Sequence, residues 1–442
     1  MITPFRRALR QELKTWVTEG LVGEDQARKI SDRYALDRIE AEAQGTLLNT
    51  IFLIGAILIG CGVVAFGAAH WDEIGRFSRV ALLLAAMLAA QIGGYYLWRV
   101  KGSRPYLGHA LTVLGTLIFG ANIGLLAQIF HISGNLSAAY LAWGVGAAIM
   151  AYALGSVPNA VVAVVALFVG YCCSIDETVT AFFFWPLIAA ALLLPFCYWR
   201  RSPLLFFLTL LSLANALIVN GVMLCGDAEG RAAVPFIVTL TALWCYGRFH
   251  HRNGKWPEFG GVACGLGALG FCGALFVFSF HDVADEIAWA SERSGQLDPG
   301  FVWAIAVPLG AAALLALVTA LSNPGRLKAW AVPVCAGGAA FGALFLPEPE
   351  IWGTVAFNAI ALALAGYGVV AGLKAFERLP YWSGLGLVVL LIAGRFFEYD
   401  SHLLVKAAGF VGAGVLLIVA GIGFENRKRS SRAGAGEEAA HG

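Results

Sequence analysis

Long stretches without a single charged residue limit most strongly what this chain can fold into. Most of them approach or exceed the length of about 20 residues that a helix needs to cross the hydrocarbon core of a bilayer. The whole chain of 442 residues carries only 13% charged residues, whereas soluble globular proteins carry about 25%. We therefore expect an integral membrane protein.

The positions of these stretches predict the number of spans. They cover residues 43–71, 80–98, 105–175, 178–199, 202–226, 232–247, 259–281, 299–325, 329–347, 351–373, 379–394 and 407–424. The third is too long for one span, and turn-forming residues divide it at His131–Asn135 and Gly155–Asn159. The pattern predicts about fourteen spans. Runs such as Leu83–Ala90 lack the alternation of barrel strands, so the expected fold is an all-α polytopic transmembrane helix bundle.

The basic residues predict the orientation of these spans. With the N-terminus placed inside, 24 of the 30 Lys and Arg residues fall in inner segments and the other 6 in outer segments. Such an excess is typical of the positive-inside rule. We therefore expect both termini to be cytoplasmic, and a different number of spans would disturb the alternation.

The polar ends predict two further segments beside the transmembrane domain, residues 47–424. Residues 1–46 are expected to form a small cytoplasmic helical hairpin, because Leu9, Leu13 and Trp16 recur at helical spacing before Gly20. Its equal numbers of acidic and basic residues argue against nucleic-acid binding. The hairpin either caps the bundle or docks a cytoplasmic protein partner. Residues 425–442 are polar and are expected to be a disordered cytoplasmic tail.

Motifs for catalysis, cofactors or metals are missing from the sequence. It contains no HExxH, P-loop or GxSxG pattern. The nine cysteines form no CxxC pair, and we interpret most of them as apolar packing residues. No cofactor or metal is therefore expected. Three glycine pairs four residues apart favour close helix packing or an oligomer; they are Gly261–Gly265, Gly338–Gly342 and Gly368–Gly372.

Amides are the polar residues expected inside the spans. Asn122, Asn215 and Asn358 each fall within an apolar stretch. One interpretation is hydrogen bonding between helices, worth about 0.6–2 kcal/mol each. The other is a polar site near the middle of the membrane, and the sequence leaves both open.

A second candidate site consists of charged residues at predicted outer ends. Arg395 and Glu398 are three residues apart and share one helix face. Asp400 follows them, and Asp72 lies in the outer segment after the first predicted span. The cluster is either an ion pair that stabilises a helix end or an outward-facing site.

Several short motifs resemble a known family. The head carries Leu13, Trp16, Gly20, Gln26, Ala27, Ile30 and Tyr34, and the later motifs are Trp71–Ile74, Ala121–Ile132 and Arg395–Glu398. In this order they resemble the prokaryotic polytopic membrane proteins grouped as domain of unknown function 2157. The resemblance covers about residues 9–135, with a weaker likeness near 395–425. It implies a multi-pass protein of the bacterial inner membrane and brings no activity.

Three hypotheses for the function follow. The first is an inner-membrane protein with transport or channel activity, as the large bundle with interior amides indicates. The second is an envelope or assembly factor that recruits a cytoplasmic partner through residues 1–46. The third is an enzyme acting on lipid-linked substrates at the outer face with Arg395, Glu398, Asp400 and Asp72.

Overall fold

The structure is a computed structural model that describes most of the chain. The described residues are 9–36 without 11, 14 and 35, then 51, 54, 55, 58, 59 and 62, and 75–102, 104–175, 179–224, 233–253, 256–283, 330–346, 348–398 and 402–441. Asp72, Asp400 and the predicted span 299–325 lie outside these residues, and so does most of the predicted span 43–71.

Helices account for nearly all of the described residues, and no strand occurs among them. We number them α1 Glu24–Tyr34, α2 Arg76–Tyr95, α3 Pro105–Ile129, α4 Leu136–Leu154, α5 Val157–Ser174, α6 Val179–Arg200, α7 Pro203–Leu224, α8 Ala233–Asn253, α9 Pro257–Phe278, α10 Ala331–Ala343, α11 Pro349–Ala375, α12 Arg378–Glu398 and α13 Leu403–His441. Helix α2 continues as a π-helical turn, Tyr96–Val100. The expectation of an all-helical fold is confirmed for the described residues.

The helices begin and end at helix-breaking and helix-capping residues of the sequence. Helix α4 ends where Gly155 takes a left-handed conformation at φ 61°, which glycine adopts without a steric penalty. Helix α5 starts directly afterwards, because the Ser156 side chain accepts a hydrogen bond from the backbone N–H of Asn159 and caps the helix. Pro158 lies in the first turn, where a proline is compatible with a helix. The predicted division of 105–175 into three helices is therefore present.

Nine helices of the described part are long and apolar enough to cross a membrane. They are α3, α4, α5, α9, α2 with its π-helical turn, and the main parts of α7, α11, α12 and α13. Two further apolar helices are shorter, namely α10 and the segment Trp185–Arg200 of α6. A membrane protein with several membrane-length helices is thus established, while the count of fourteen spans stays a prediction.

The first of two compact units comprises residues 1–179. Within it α2 packs on α3 and α4 packs on α5. The α2–α3 contact is unusually close, because a Cβ atom on Gly94 would lie 2.7 Å from the carbonyl oxygen of Gly108. In the head, Leu13 and Leu36 are buried together against Trp16 and Ile30. The complete hairpin stays a prediction, because residues 1–8 and 37–46 lie outside the description.

The second unit comprises residues 180–442. Its core lies among α8, α9, α10, α11 and α12, where Phe271, Leu275, Phe357 and Ala361 are almost fully buried. Helices α8 and α9 approach each other at Gly267, where a Cβ atom would lie 2.7 Å from the Cα atom of Trp244.

The last helix runs further than the sequence indicates. Its membrane-length part is Leu404–Arg427, and its backbone stays helical through His441. The sequence predicts disorder from residue 425. Ala, Glu and Arg are strong helix formers, and adding a residue to an existing helix avoids the unfavourable nucleation step. The division into three domains stays a prediction.

Candidate functional site

A polar junction joins three helices of the second unit at one of their ends. It consists of Ser279, Asn358, Arg395 and Glu398, and we call it the Arg395 junction. Ser279 directly follows α9, Asn358 belongs to α11, and the two charged residues belong to the last turn of α12. The sequence placed Asn358 and Arg395 in two separate candidate sites, whereas the structure brings them together.

The backbone carbonyl of Ser279 lies at the centre of this junction. It accepts hydrogen bonds from Arg395 Nη1 at 2.9 Å and from Asn358 Nδ2 at 3.2 Å. The last carbonyls of a helix have no partner within the helix. Arg395 and Asn358 supply the missing donors, and the positive charge of the guanidinium also suits a helix C-terminus.

The hydroxyl of Ser279 takes part as well. Its Oγ accepts from Arg395 Nη2 at 2.8 Å and donates to the carbonyl oxygen of Phe276 at 2.6 Å. Ser279 is fully buried. One small residue thus connects the guanidinium to the end of α9 through both its backbone and its side chain.

Glu398 neutralises the arginine. Arg395 Nη1 donates to Glu398 Oε2 in an ion pair, and Glu398 Oε1 accepts from the backbone N–H of His281. The side chain of Glu398 is 8% exposed and that of Arg395 is 23% exposed. The predicted contact between these two residues is therefore present in a largely buried setting, while their role as a site stays a prediction.

Two further features describe the environment of the guanidinium. Its Cζ atom lies 4.8 Å from the centroid of the Phe280 ring, a distance suited to a cation–π contact. Its Nε atom is buried and has no hydrogen-bond partner among the described residues. The junction therefore holds a charged group whose hydrogen-bonding capacity is incompletely used.

Chemically, the junction is suited to binding and to holding helices together. Its carboxylate is already engaged by Arg395 and His281. Asp72 and Asp400 lie outside the described residues, so the four-residue outer-face cluster stays a prediction. No group of three or more His, Cys, Asp or Glu residues suited to a metal ion occurs in the described part of the chain.

The other two asparagines have different surroundings. Asn122 on α3 is 3% exposed, and its Nδ2 donates to the Leu83 carbonyl on α2 at 3.1 Å. Its Oδ1 is buried without a partner among the described residues. Asn215 on α7 lies exposed at the surface of the second unit. The predicted site near the middle of the membrane, formed by Asn122, Asn215 and Asn358, stays a prediction.

The first unit contains a polar chain that sequence reasoning missed. It comprises Gln91 on α2, Thr116 and His109 on α3, and Ser156 and Asn159 at the start of α5, and we call it the His109 chain. A signal was available, since Ser156 and Asn159 have the spacing of a helix cap and its third helical residue. Their long-range partners have no signature in the sequence.

Four side-chain contacts connect the members of this chain. His109 Nε2 lies 2.7 Å from Ser156 Oγ, and Asn159 Nδ2 lies 2.9 Å from the same oxygen. Thr116 Oγ1 donates to Asn159 Oδ1 at 2.8 Å, and Gln91 Nε2 donates to Thr116 Oγ1 at 3.3 Å. Thr116, Ser156 and Asn159 are almost completely buried. The chain therefore ties α2, α3 and α5 together inside the first unit.

The second unit holds another missed cluster. Tyr198 on α6 contacts the hydroxyl of Tyr246, and its own hydroxyl lies 2.7 Å from His250 Nε2. The rings of Phe206 and Phe259 stack 4.6 Å apart beside them. Because these rings contact one another between the helices, we interpret the cluster as a packing contact.

The membrane-length apolar helices of the described residues indicate a multi-pass membrane protein. Residues 14–159 match the model of a family described as Predicted membrane protein (DUF2157). This match confirms the resemblance found in the sequence, and it covers roughly a third of the chain. No curated protein and no solved structure matches the chain. Residues 14–159 are thus similar to a family of predicted membrane proteins.

Proposed function

We propose that the chain is a transport or channel protein of the inner membrane, and that the Arg395 junction is a closing contact at the outer end of its second unit. The observation that supports this proposal is the buried Arg395–Glu398 pair, with side chains 23% and 8% exposed. The outer position follows from the orientation predicted by the basic residues.

A buried ion pair is a poor way to gain stability alone. Removing two charges from water is unfavourable by several kcal/mol per ion, and apolar residues of similar volume often stabilise as well or better. Charged residues within membrane segments are rare and mark pathways and sites. A functional requirement therefore accounts better for Arg395 than stability does.

The geometry of the junction suits a contact that opens and closes. Arg395 and Asn358 share the Ser279 carbonyl as acceptor. When α9 moves away from α11 and α12, both hydrogen bonds to this oxygen are lost together. Interfaces that change between two discrete arrangements are a common basis of switching and gating.

Flux measurements test the proposal. The purified full-length protein is reconstituted in liposomes, and uptake of a broad panel of ions, sugars and amino acids is measured. We expect flux of at least one solute above that of protein-free liposomes, and a changed flux in Arg395→Gln. The matched control is Arg378→Gln on the same helix, because Arg378 forms an exposed pair with Glu425.

The flux results test the transport function and the gating role of the junction separately. Absence of flux for every solute would overturn the transport function. Equal flux in the wild-type protein and Arg395→Gln would retain transport and overturn the gating role of the junction.

A docking function is the second candidate. Leu21, in the turn before α1, is 69% exposed, and Tyr34 at the end of α1 is 42% exposed. Exposed apolar groups on a cytoplasmic head suit contact with a protein partner. Deleting residues 1–40 tests this role, and an intact cellular phenotype together with normal flux would exclude it.

A further inference from the structure

The His109 chain has a defined direction. Ser156 Oγ accepts from Asn159 Nδ2 at 2.9 Å and from the backbone N–H of Asn159 at 3.4 Å. A hydroxyl has two acceptor positions and one proton to donate. Both acceptor positions are occupied, so the proton of Ser156 points to His109 Nε2. His109 is therefore the acceptor at one end of the chain, with its ring proton on Nδ1.

The other end of the chain follows the same direction. Thr116 Oγ1 donates to Asn159 Oδ1 and accepts from Gln91 Nε2. The Oε1 atom of Gln91 is buried and has no hydrogen-bond partner among the described residues. Every hydrogen bond from Gln91 to His109 thus points the same way along the chain.

Protonation of His109 reverses this direction. An imidazolium ring donates from both nitrogens, so Nε2–H now donates to Ser156 Oγ. Ser156 can then donate only to the Asn159 side chain, which requires the amide to rotate and present Oδ1. The rotated Nδ2 donates to Thr116 Oγ1, whose own proton has an acceptor in the Thr112 carbonyl at 3.1 Å.

Both directions therefore give Ser156, Asn159 and Thr116 their hydrogen-bond partners, and Gln91 Nε2 donates to Thr116 in each. One proton is added at His109 Nε2, the Ser156 hydroxyl and the Asn159 amide rotate, and no covalent bond within the protein breaks. The backbone N–H of Asn159 keeps Ser156 Oγ as its acceptor in both cases. A network with two complete arrangements that one proton interconverts has the properties of a two-state element.

Other groups around His109 influence which arrangement is populated. The imidazole stacks on the Trp98 ring with centroids 4.4 Å apart, and the Arg99 guanidinium lies 4.4 Å from the same indole. Arg99 also donates to the Leu154 carbonyl at 2.9 Å, at the end of α4. The charged residues on the elements at this end are Arg99, Lys101 and Arg104. These three residues are basic, and the indole covers one face of the imidazole ring.

We propose that His109 is a proton-operated switch that sets the direction of the buried hydrogen bonds through Ser156, Asn159 and Thr116. Histidine titrates near neutral pH, so the switch responds to a change of pH on the side of the membrane that His109 faces. The proposal concerns the first unit and does not depend on the transport function.

Nitrogen NMR of the full-length protein in nanodiscs tests the direction of the chain. The protein is labelled with 15N-histidine, and the His109 signals are those lost in His109→Gln. We expect the tautomer with the proton on Nδ1 at about pH 8 and a doubly protonated ring at about pH 5. The tautomer with the proton on Nε2 at high pH, or a ring that does not titrate, would overturn the proposal.

Thermal unfolding provides a second readout. We expect wild-type protein to change its midpoint by about 3 °C or more between about pH 8 and about pH 5, and His109→Gln to lose this dependence. His402→Gln, at an exposed position, is the control that retains it. An equal pH dependence in wild-type protein and His109→Gln would rule the switch out, and the NMR readout remains decisive if His109→Gln does not fold.

Discussion

Arg395 and Asn358 donate to the same oxygen atom, the backbone carbonyl of Ser279. They come from different helices, and they are 37 residues apart in the chain. A carbonyl oxygen has two acceptor positions, so this pair of donors saturates it. The end of α9 is thereby held by α11 and α12 at a single point.

The first prediction concerns the two arginines of α12. Arg395→Gln leaves the carboxylate of Glu398 largely buried without its ion-pair partner, and we expect a loss of about 3–5 kcal/mol in the free energy of unfolding. Arg378→Gln removes a pair whose side chains are 64% and 37% exposed, and we expect a loss of about 0–1 kcal/mol. Unfolding in mixed detergent micelles measures both values.

The double variant Arg395→Gln with Glu398→Gln sharpens this test. It removes both charges, so we expect part of the lost stability to return. If the double variant loses more free energy of unfolding than the two single variants lose together, the unpaired charge is not the cause of the destabilisation.

The second prediction concerns the close contact of α8 and α9. A Cβ atom on Gly267 would lie 2.7 Å from the Cα atom of Trp244, whereas one on Gly265 meets nothing within 4 Å among the described residues. We expect Gly267→Ala to reduce the free energy of unfolding by about 1–3 kcal/mol. Gly265→Ala should be neutral or slightly stabilising, because alanine favours a helix over glycine. Equal effects at both positions would contradict the helix contact.

The third prediction compares two asparagines. Asn122→Ala removes the buried hydrogen bond to the Leu83 carbonyl, and we expect a loss of about 0.6–1.7 kcal/mol in the free energy of unfolding. Asn215→Ala changes an exposed side chain and should have a smaller effect. The same detergent titration compares them, and the opposite order would indicate that Asn215 has the more important contact.

The fourth prediction concerns orientation. Helices α4, α5 and α6 separate Ser133 from Ser202, so the two serines should lie on opposite sides of the membrane. Single cysteines at these positions, in a background without the nine native cysteines, are labelled in intact cells with a membrane-impermeant reagent. We expect labelling at position 133 and protection at position 202. Labelling of both would refute the orientation that the basic residues predict.

The helices could be predicted from the sequence because each carries its own signal. The helical breaks near His131 and at Gly155 come from turn-forming residues, and the spans come from the absence of charge. These are local properties of the chain. Membrane-length apolar helices can also be predicted without knowledge of tertiary contacts. Lipid offers no hydrogen-bond partners, so the backbone of each span must form its hydrogen bonds within its own helix.

The sites could be predicted only in part. The Arg395–Glu398 contact follows from a spacing of three residues within one helix. The contact of Arg395 with Ser279 spans 116 residues, and no local pattern encodes it. The glycine pairs show the same limit. A Cβ atom added to Gly368 or Gly372 would lie within 3 Å of α12, whereas one added to Gly261 or Gly265 would meet nothing within 4 Å in the described part.

The glycine contact between α8 and α9 has a mechanical consequence. At Gly267 the two backbones approach so closely that there is no room for a side chain between them. Because such close packing resists relative movement of the two helices, we expect the pair to move as a single stiff arm. Any rearrangement of this unit has to pivot at the margins of that arm, and Ser279, one residue beyond α9, lies at such a margin.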